Sequence, residues 1–398
     1  DILLTATVTL ALVCFFRAEL DGERRRRWLA GFWAGVGLSL LAKGLIGVVL
    51  PAGVVGLYLL LTRRWRELFR TGVWWGVPLA AGVASLWYAP VMARHGWAFV
   101  EEFFVQHHFA RYVSDKYHHT QPFYFYLPIL ALLTLPWTPF LVAAVAGARR
   151  WNWRATDARG RLRLFALAWM VVPVAFFSLS GSKLPGYILP ALPGAALLAG
   201  ERLARYVRGE GGRGAMLATG ALALLFAIAG PFVAHYGRLV PLSCALVIVA
   251  PSAVAGALVL FKTQRRALSA ATLVGCVFLT VMLIAGCGLR EAAERDSVRE
   301  LLRRADARGY GSLPLVQLHT IERTSEFYAA GRLIYDERGD PQKLEGTGLV
   351  LDAARTRGGS VLVLVPLEEL RQIKEDTRLT SEFIGDNGVY ALAHVRPR

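Results

Sequence analysis

Hydrophobic residues run in long stretches through the first three quarters of the chain, and short basic clusters separate these stretches. Most of them approach the roughly 20 apolar residues that an α-helix needs to cross a bilayer. Because several are shorter, tilted or re-entrant segments are alternatives to complete spans. The pattern predicts ten spans, at residues 2–16, 28–42, 45–61, 72–92, 123–147, 164–180, 186–200, 214–234, 240–261 and 268–289.

The loops between these spans differ in charge. Alternate loops are rich in Arg, for example at residues 24–27, 149–163 and 202–213, whereas the intervening loops hold few cations. Short basic loops of membrane proteins stay in the cytoplasm. We therefore expect Asp1, the cation-poor loops and the C-terminal region to face the outside of the membrane.

Residues 290–398 have the mixed pattern of a soluble domain. Strand-like runs at 315–318, 360–364 and 389–394 alternate with helix-like segments such as 367–374, which predicts a small α/β or α+β fold. We therefore predict an α-helical polytopic transmembrane domain over residues 1–289 and an extracytoplasmic soluble α/β domain over residues 290–398.

The chain carries a formal net charge of +16, and this charge bears on which partners it binds. Such an excess can indicate nucleic-acid binding. Here the excess Arg lies in short loops between apolar runs, where it sets topology and attracts anionic lipid. We therefore predict membrane lipids, and no nucleic acid, as partners. Each cysteine lies in an apolar stretch, where a buried cysteine usually acts as a small hydrophobic residue. The cysteines are Cys14, Cys244, Cys276 and Cys287.

The loop at residues 93–122 concentrates histidine on the predicted outer side. On a helix, His107 and Arg111 would share one face. A neutral imidazole can ligate a divalent metal, and a guanidinium can hold a phosphate with two hydrogen bonds. The alternative is that these residues anchor the loop at the membrane interface.

Isolated charged residues lie in other outer segments. Lys43 separates two apolar runs, and Lys183 and Tyr187 lie in a Gly- and Pro-containing break between the sixth and seventh spans. Irregular backbone at membrane depth lines a cavity or reaches water, although each Lys could equally extend to the interface as an anchor. Asp1 is either a catalytic base, a metal ligand or a solvated terminus. Together these groups match the needs of a polyprenyl phosphate-sugar donor.

These segments resemble the aminoarabinose transferase family and the related protein mannosyltransferases. Residues 41–44 resemble its Leu-x-Lys-Gly element, and residues 177–190 resemble its Phe-Ser-x-x-x-x-Lys-Leu-Pro-x-Tyr-x-Leu-Pro segment. The other matching stretches, in chain order, are 1–5, 103–112, 119–128 and 135–137. The resemblance is sharp over residues 1–200 and diffuse beyond them.

The resemblance implies a GT-C fold and an enzyme of the inner membrane that works at its outer, periplasmic face. Such an enzyme transfers a sugar from undecaprenyl phosphate to a lipid A-like lipid, a glycan or a protein. The resemblance also implies that His107 ligates a divalent metal. It implies donor-phosphate contacts for Lys43, Arg111 and Lys183, and a lipid or phosphate contact for Tyr187.

The family carries essential carboxylates in its first outer loop, next to its first span, and that segment is missing here. The chain begins without Met or the basic region of a signal peptide. We therefore expect a fragment that has lost N-terminal spans and cannot catalyse transfer by itself. Asp1 is then the candidate catalytic carboxylate within this chain.

Two other classes of function compete with this interpretation. A transporter or flippase of lipid-linked substrates would explain the spans and the broken helices, but it would place polar groups near the bilayer midplane. A membrane anchor would leave the activity to residues 290–398, where no nucleophile motif, metal template or Gly-rich phosphate loop occurs. We therefore expect the C-terminal domain to be accessory.

Overall fold

The computed structural model describes residues 1–100, 121–154, 157–237, 240–261, 265–290, 293, 297–337 and 339–398. Helices occupy each predicted span in these ranges. They are α1 (Ile2–Leu20), α2 (Arg25–Lys43), α3 (Ile46–Leu61), α4 (Val73–Val100), α5 (Tyr126–Leu133), α6 (Thr138–Gly147), α7 (Ala158–Ser178), α8 (Leu192–Val207), α9 (Arg213–Tyr236), α10 (Leu242–Phe261) and α11 (Arg266–Leu283).

Six helical segments in the described ranges are long and apolar enough to cross a membrane. They are Ile2–Leu20, Val73–Trp97, Ala158–Ser178, Arg213–Tyr236, Leu242–Phe261 and Arg266–Gly288. The predicted span 123–147 is divided into α5 and α6, and 186–200 begins as the 3-10 helix Pro185–Ala191. The chain is a multi-pass membrane protein.

One compact unit comprises Asp1–Leu225 and Val254–Val274. Its helices α1 and α2 approach closely, because a Cβ at Gly35 would lie 2.9 Å from the Cα of Ala11. Without a hydrophobic driving force between helices in lipid, small residues at the interface allow the backbones to gain packing contacts.

An aromatic cluster joins α1, α3 and α7 in the same unit. The ring centroid of Phe15 lies 5.9 Å from Phe165 and 6.2 Å from Tyr58. At the end of α1, the carboxylate of Glu19 is 4% exposed and accepts a hydrogen bond from Arg64 at 2.6 Å. This buried ion pair links the end of α1 to the residues after α3.

The other compact unit comprises Phe226–Ala253 and Gly275–Arg398. A disulfide joins Cys244 in α10 to Cys287 in the π-helical turn after α11, with 6.3 Å between the Cα atoms. The expectation that the cysteines are only small buried hydrophobic residues is therefore wrong for this pair. The division at residue 289 stays a prediction.

The C-terminal part of this unit has the predicted α/β architecture. The strands are β1 (Leu315–Leu318), β2 (Lys343–Leu344), β3 (Val361–Pro366), β4 (Leu379–Asp386) and β5 (Tyr390–Pro397). They form one mixed sheet in the order β2-β1-β3-β5-β4. Strand β1 pairs parallel with β2 and β3, while β5 pairs antiparallel with β3 and β4.

Helices cover both faces of the sheet, so the central strand β3 is apolar throughout. They are α12 (Arg299–Ala307), α13 (Thr324–Tyr328), α14 (Thr347–Thr356) and α15 (Leu370–Glu375). Beyond α15, hydrogen bonds from the Arg378 guanidinium and the Thr347 hydroxyl hold the pKa of the Asp376 carboxyl well below its usual range.

Candidate active site on the Asp1 side of the helices

Lys43 lies at the last position of α2 because Gly44 ends the helix. Gly44 adopts a positive φ of 63°, which favours glycine, and its N–H donates to the Leu40 carbonyl at 2.7 Å. A cation at this position is favourable by itself, since the carboxyl end of a helix carries partial negative charge. The position of Lys43 therefore has a structural reason in addition to any functional one.

Three of the predicted site residues meet at this point. The Nζ of Lys43 donates a hydrogen bond to Oδ1 of Asp1, immediately before α1. The same Nζ lies 4.3 Å from the centroid of the Tyr187 ring, which is a cation–π distance. The side chains of Lys43 and Asp1 are 30% and 22% exposed, so the pair is accessible to a ligand.

The segment that carries Tyr187 is irregular because Pro185 follows the end of α7. A 3-10 helix over Pro185–Ala191 turns the Tyr187 ring onto Phe177, with 5.4 Å between the centroids. The hydroxyl of Tyr126 donates to the Leu184 carbonyl at 3.2 Å and holds the segment from α5. The break predicted from Gly and Pro is therefore anchored on two sides.

Gly186 is a site residue that sequence reasoning missed. A Cβ built at this position would lie 3.1 Å from Oδ2 of Asp1, closer than an ordinary van der Waals contact. The absent side chain lets the carboxylate approach the backbone while it contacts Lys43. Its place inside the Lys-Leu-Pro-Gly-Tyr segment was visible in the sequence, but nothing there identified Asp1 as its neighbour.

Lys183 lies four residues before Tyr187 and is buried, with 8% of the residue exposed. Its Nζ donates to the Ser180 carbonyl at 2.6 Å, and no carboxylate pairs with it in the part of the chain that the structure describes. Within that same part, the buried Oγ of Ser182 has no hydrogen-bond partner. A buried ammonium without an anion is costly, so this turn suits an anionic ligand.

The predicted metal ligand His107 and phosphate contact Arg111 lie outside the described residues. Among the residues that are described, no group of three or more His, Cys, Asp or Glu side chains could hold a metal ion. Asp1 is the carboxylate at this site, and Lys43 already engages it. The described donors alone therefore do not fit a metal centre, and the metal stays a prediction.

Comparisons with known proteins match different proportions of the chain. The family model for dolichyl-phosphate-mannose-protein mannosyltransferase matches residues 1–148. The undecaprenyl phosphate-alpha-4-amino-4-deoxy-L-arabinose arabinosyl transferase of Pseudomonas aeruginosa is 38% identical over 208 residues, which are 51% of this chain. The corresponding protein of Sodalis glossinidius is 34% identical over 224 residues, or 55% of this chain.

The matched regions cover 36% and 38% of the length of these two relatives. In structure, the chain is similar to ArnT from Cupriavidus metallidurans bound to undecaprenyl phosphate, with a TM-score of 0.72 and 22% sequence identity. That comparison covers 98% of this chain and 74% of the other. The same protein in the apo state gives a TM-score of 0.69.

Proposed function

We propose that this chain, which is an aminoarabinose transferase-like protein with the GT-C fold, is part of a membrane glycosyltransferase. The proposed reaction moves a sugar from an undecaprenyl phosphate donor to a lipid acceptor of the lipid A type. The observation that carries the proposal is the convergence of Asp1, Lys43 and Tyr187 from three separate segments. This arrangement supports a site in which a carboxylate accepts the proton of the acceptor hydroxyl and cations bind the donor phosphate.

The Asp1–Lys43 pair suggests how the two roles are linked. A donor phosphate that takes the Lys43 ammonium would release the Asp1 carboxylate from its ion pair. Asp1 then accepts the proton of the acceptor hydroxyl as its oxygen bonds to the sugar carbon. The bond from that carbon to the phosphate oxygen breaks, and Lys43 stabilises the negative charge that the lipid phosphate gains.

Lys183 provides the second proposed phosphate contact. Its ammonium is held by the Ser180 carbonyl in a turn that also contains the buried Ser182 hydroxyl. A phosphate would supply the missing negative charge and a hydrogen-bond acceptor. Arg111 and the metal ligand His107 belong to the same proposal.

The proposed location is the inner membrane, with this site and the C-terminal domain on the periplasmic side. The disulfide between Cys244 and Cys287 supports that orientation, because disulfides persist in oxidising compartments. Cys244 lies near the start of α10 and Cys287 follows α11. The charge of the loops predicts the same side for both helix ends.

A protein acceptor is the second candidate. The match of residues 1–148 to the protein mannosyltransferase model favours it. A transporter is less well supported, because Lys43 lies at the end of α2 and Lys183 lies beyond the end of α7. A carrier would place such groups near the middle of the membrane.

The test is sugar transfer by the complete gene product in reconstituted membranes. Undecaprenyl phosphate-linked aminoarabinose and mannose are offered with lipid A and with acceptor peptides. We expect transfer from aminoarabinose to lipid A, and its loss in Lys43→Ala, His107→Ala and Lys183→Ala. The control Lys374→Ala, on α15, should keep the parent rate.

The outcomes separate the candidate functions. Transfer of mannose to peptides would favour the protein acceptor. A parent protein that is inert with every donor, or three active variants, would move the assignment to a transporter. Metal analysis of the parent and of His107→Ala tests the metal ligand separately from turnover.

A further inference from the structure

We propose a second anion site, separate from the sugar-transfer site and independent of the proposed function, where α8 ends and α9 and α11 begin. Its residues are Arg202, Tyr206, Arg213 and Arg266, all within the first compact unit. The proposed ligand is the phosphodiester headgroup of an anionic membrane phospholipid.

The first observation concerns the hydroxyl of Tyr206. The residue is 1% exposed, and in the described ranges its hydroxyl has no hydrogen-bond partner. Its ring packs edge to face with Phe140, with 6.4 Å between centroids, and the Arg266 guanidinium lies over the ring at 5.7 Å from its centroid. Buried hydroxyls in folded proteins nearly always have a partner, so the position suits an acceptor that is not among the described residues.

The second observation concerns the cations around this hydroxyl. The Arg266 guanidinium lies over the Tyr206 ring, and Arg213 follows Gly212, where a Cβ would lie 3.2 Å from the Cβ of Tyr206. Arg202 lies one turn before Tyr206 on α8 and therefore shares its face. The Nε of Arg202 is buried and has no hydrogen-bond partner among the described residues.

The nearby carboxylates are already occupied. Glu201 accepts from Arg163 at 2.5 Å. Glu210 accepts from Arg208 at 2.7 Å and from Arg205 at 3.3 Å. Within the described ranges, the three arginines of the proposed site have no carboxylate within ion-pair distance, so their combined positive charge is available to an external anion.

The backbone leaves room for one of these cations. Gly209 adopts a φ of 87° in the turn between α8 and α9, and a Cβ built there would lie 3.0 Å from Nη1 of Arg266. A residue with a side chain would displace the guanidinium. The glycine therefore lets Arg266 reach across from α11 to the ring of Tyr206.

A phosphodiester fits this arrangement. Its oxygens accept hydrogen bonds from a tyrosine hydroxyl and from guanidinium groups, which bind phosphate with matching geometry. The cluster lies at the ends of apolar helices, where headgroups meet the protein, and basic pockets between such helices bind anionic lipids. A soluble phosphate would satisfy the same polar groups, but it would not be concentrated at this interface.

The experiment measures lipid binding to the complete gene product in detergent by native mass spectrometry. The probes are phosphatidylglycerol, phosphatidylcholine and inorganic phosphate. The variants are Tyr206→Phe, which removes only the hydroxyl, and Arg266→Gln. The matched control is Arg208→Gln, which removes the same charge from the neighbouring turn between α8 and α9.

We expect phosphatidylglycerol to bind more tightly than phosphatidylcholine, and to bind about tenfold more weakly to Arg266→Gln. Tyr206→Phe should weaken binding in the same direction, and Arg208→Gln should bind as the parent does. Melting temperatures without lipid that are no lower than that of the parent verify that the variants fold. Three results would overturn the proposal. They are equal binding of the two lipids, a loss of phosphatidylglycerol binding in Arg208→Gln as large as in Arg266→Gln, and binding of inorganic phosphate as tight as that of phosphatidylglycerol.

Discussion

Replacing Gly186 by Ala tests the geometry of the candidate site with a single methyl group. The added Cβ would lie 3.1 Å from Oδ2 of Asp1. Ordinary contacts begin near 3.4 Å, so the carboxylate or the 3-10 segment must move by about 0.3 Å. Gly186 does not belong to the positive-φ glycines, and the substitution therefore brings no backbone strain.

The effect on stability should be small, whereas the effect on transfer should be measurable. The Asp1–Lys43 pair is partly exposed, so weakening it costs at most about 1 kcal/mol. A displacement of 1 Å at a reacting group can cost about 100-fold in rate, so a shift of about 0.3 Å scales to about fourfold. We expect transfer by Gly186→Ala to fall by about that factor with little change in the melting temperature.

The assay compares initial transfer rates and melting temperatures of the complete gene product in the same reconstituted membranes. Gly200→Ala is the matched control, because a Cβ there has nothing within 4 Å and the residue lies inside α8. It should keep the parent rate and gain about 0.5–1 kcal/mol from helix propensity. Parent-like transfer by Gly186→Ala would refute the argument that the position of Asp1 matters.

Three further predictions concern stability. Glu19→Gln should lower the unfolding free energy in detergent by about 2 kcal/mol, because it leaves Arg64 without its buried acid. Reduction should expose two alkylatable thiols, at Cys244 and Cys287, and destabilise the protein by about 2–4 kcal/mol. Asp376→Asn should increase hydrogen exchange over residues 347–379 at pH 7, and its difference from the parent should shrink as the pH falls.

The sign of the pH effect follows from the lowered pKa of Asp376. A carboxyl whose pKa is lower in the folded state stabilises the fold above its unfolded pKa, and this stability is lost as the pH falls through the folded value. An Asn mutant lacks this contribution at every pH. Asp340→Asn, at an exposed position, is the control, and an equal increase in exchange there would contradict the prediction.

The other two predictions have their own controls. Glu23→Gln removes an exposed carboxylate from the turn after α1 and should leave the melting temperature unchanged. If Glu23→Gln lowered the melting temperature as much as Glu19→Gln, the destabilisation would come from the change in net charge and not from the loss of the ion pair. For the disulfide, labelling of Cys244 before reduction would contradict the bond.

Local pattern was sufficient to predict much of the fold. Apolar runs identified the helices, and the strands at 315–318, 361–366 and 390–397 follow from short apolar segments. The edge strands at 343–344 and 379–386 were missed. Apolar and polar residues alternate only weakly along these exposed strands, and neither strand has a continuous apolar run. The breaks inside the apolar runs at 123–147 and 186–200 were not predicted, since hydropathy does not report where a helix stops.

The sequence singled out Lys43, Lys183 and Tyr187 as candidate residues, but it did not predict their contacts. Lys43, Lys183 and Tyr187 were identified because ionisable or irregular positions beside apolar runs are uncommon. Their partners were not, since the contact of Gly186 with Asp1 joins residues far apart in sequence. The Cys244–Cys287 bond was missed for the same reason.

Two of the candidate ligand-binding cations differ from the charges that support the fold, because they have no carboxylate partner among the described residues. Where a charge supports the fold, a partner accompanies it, as Arg64 accompanies Glu19 and Glu201 accompanies Arg163. Lys183 and Arg266 differ, because neither has a carboxylate partner among the described residues although each is largely covered by neighbouring groups. Such positions cost stability in the empty protein. That cost is recovered when an anion binds, so both positions should gain stability from phosphate-bearing lipids.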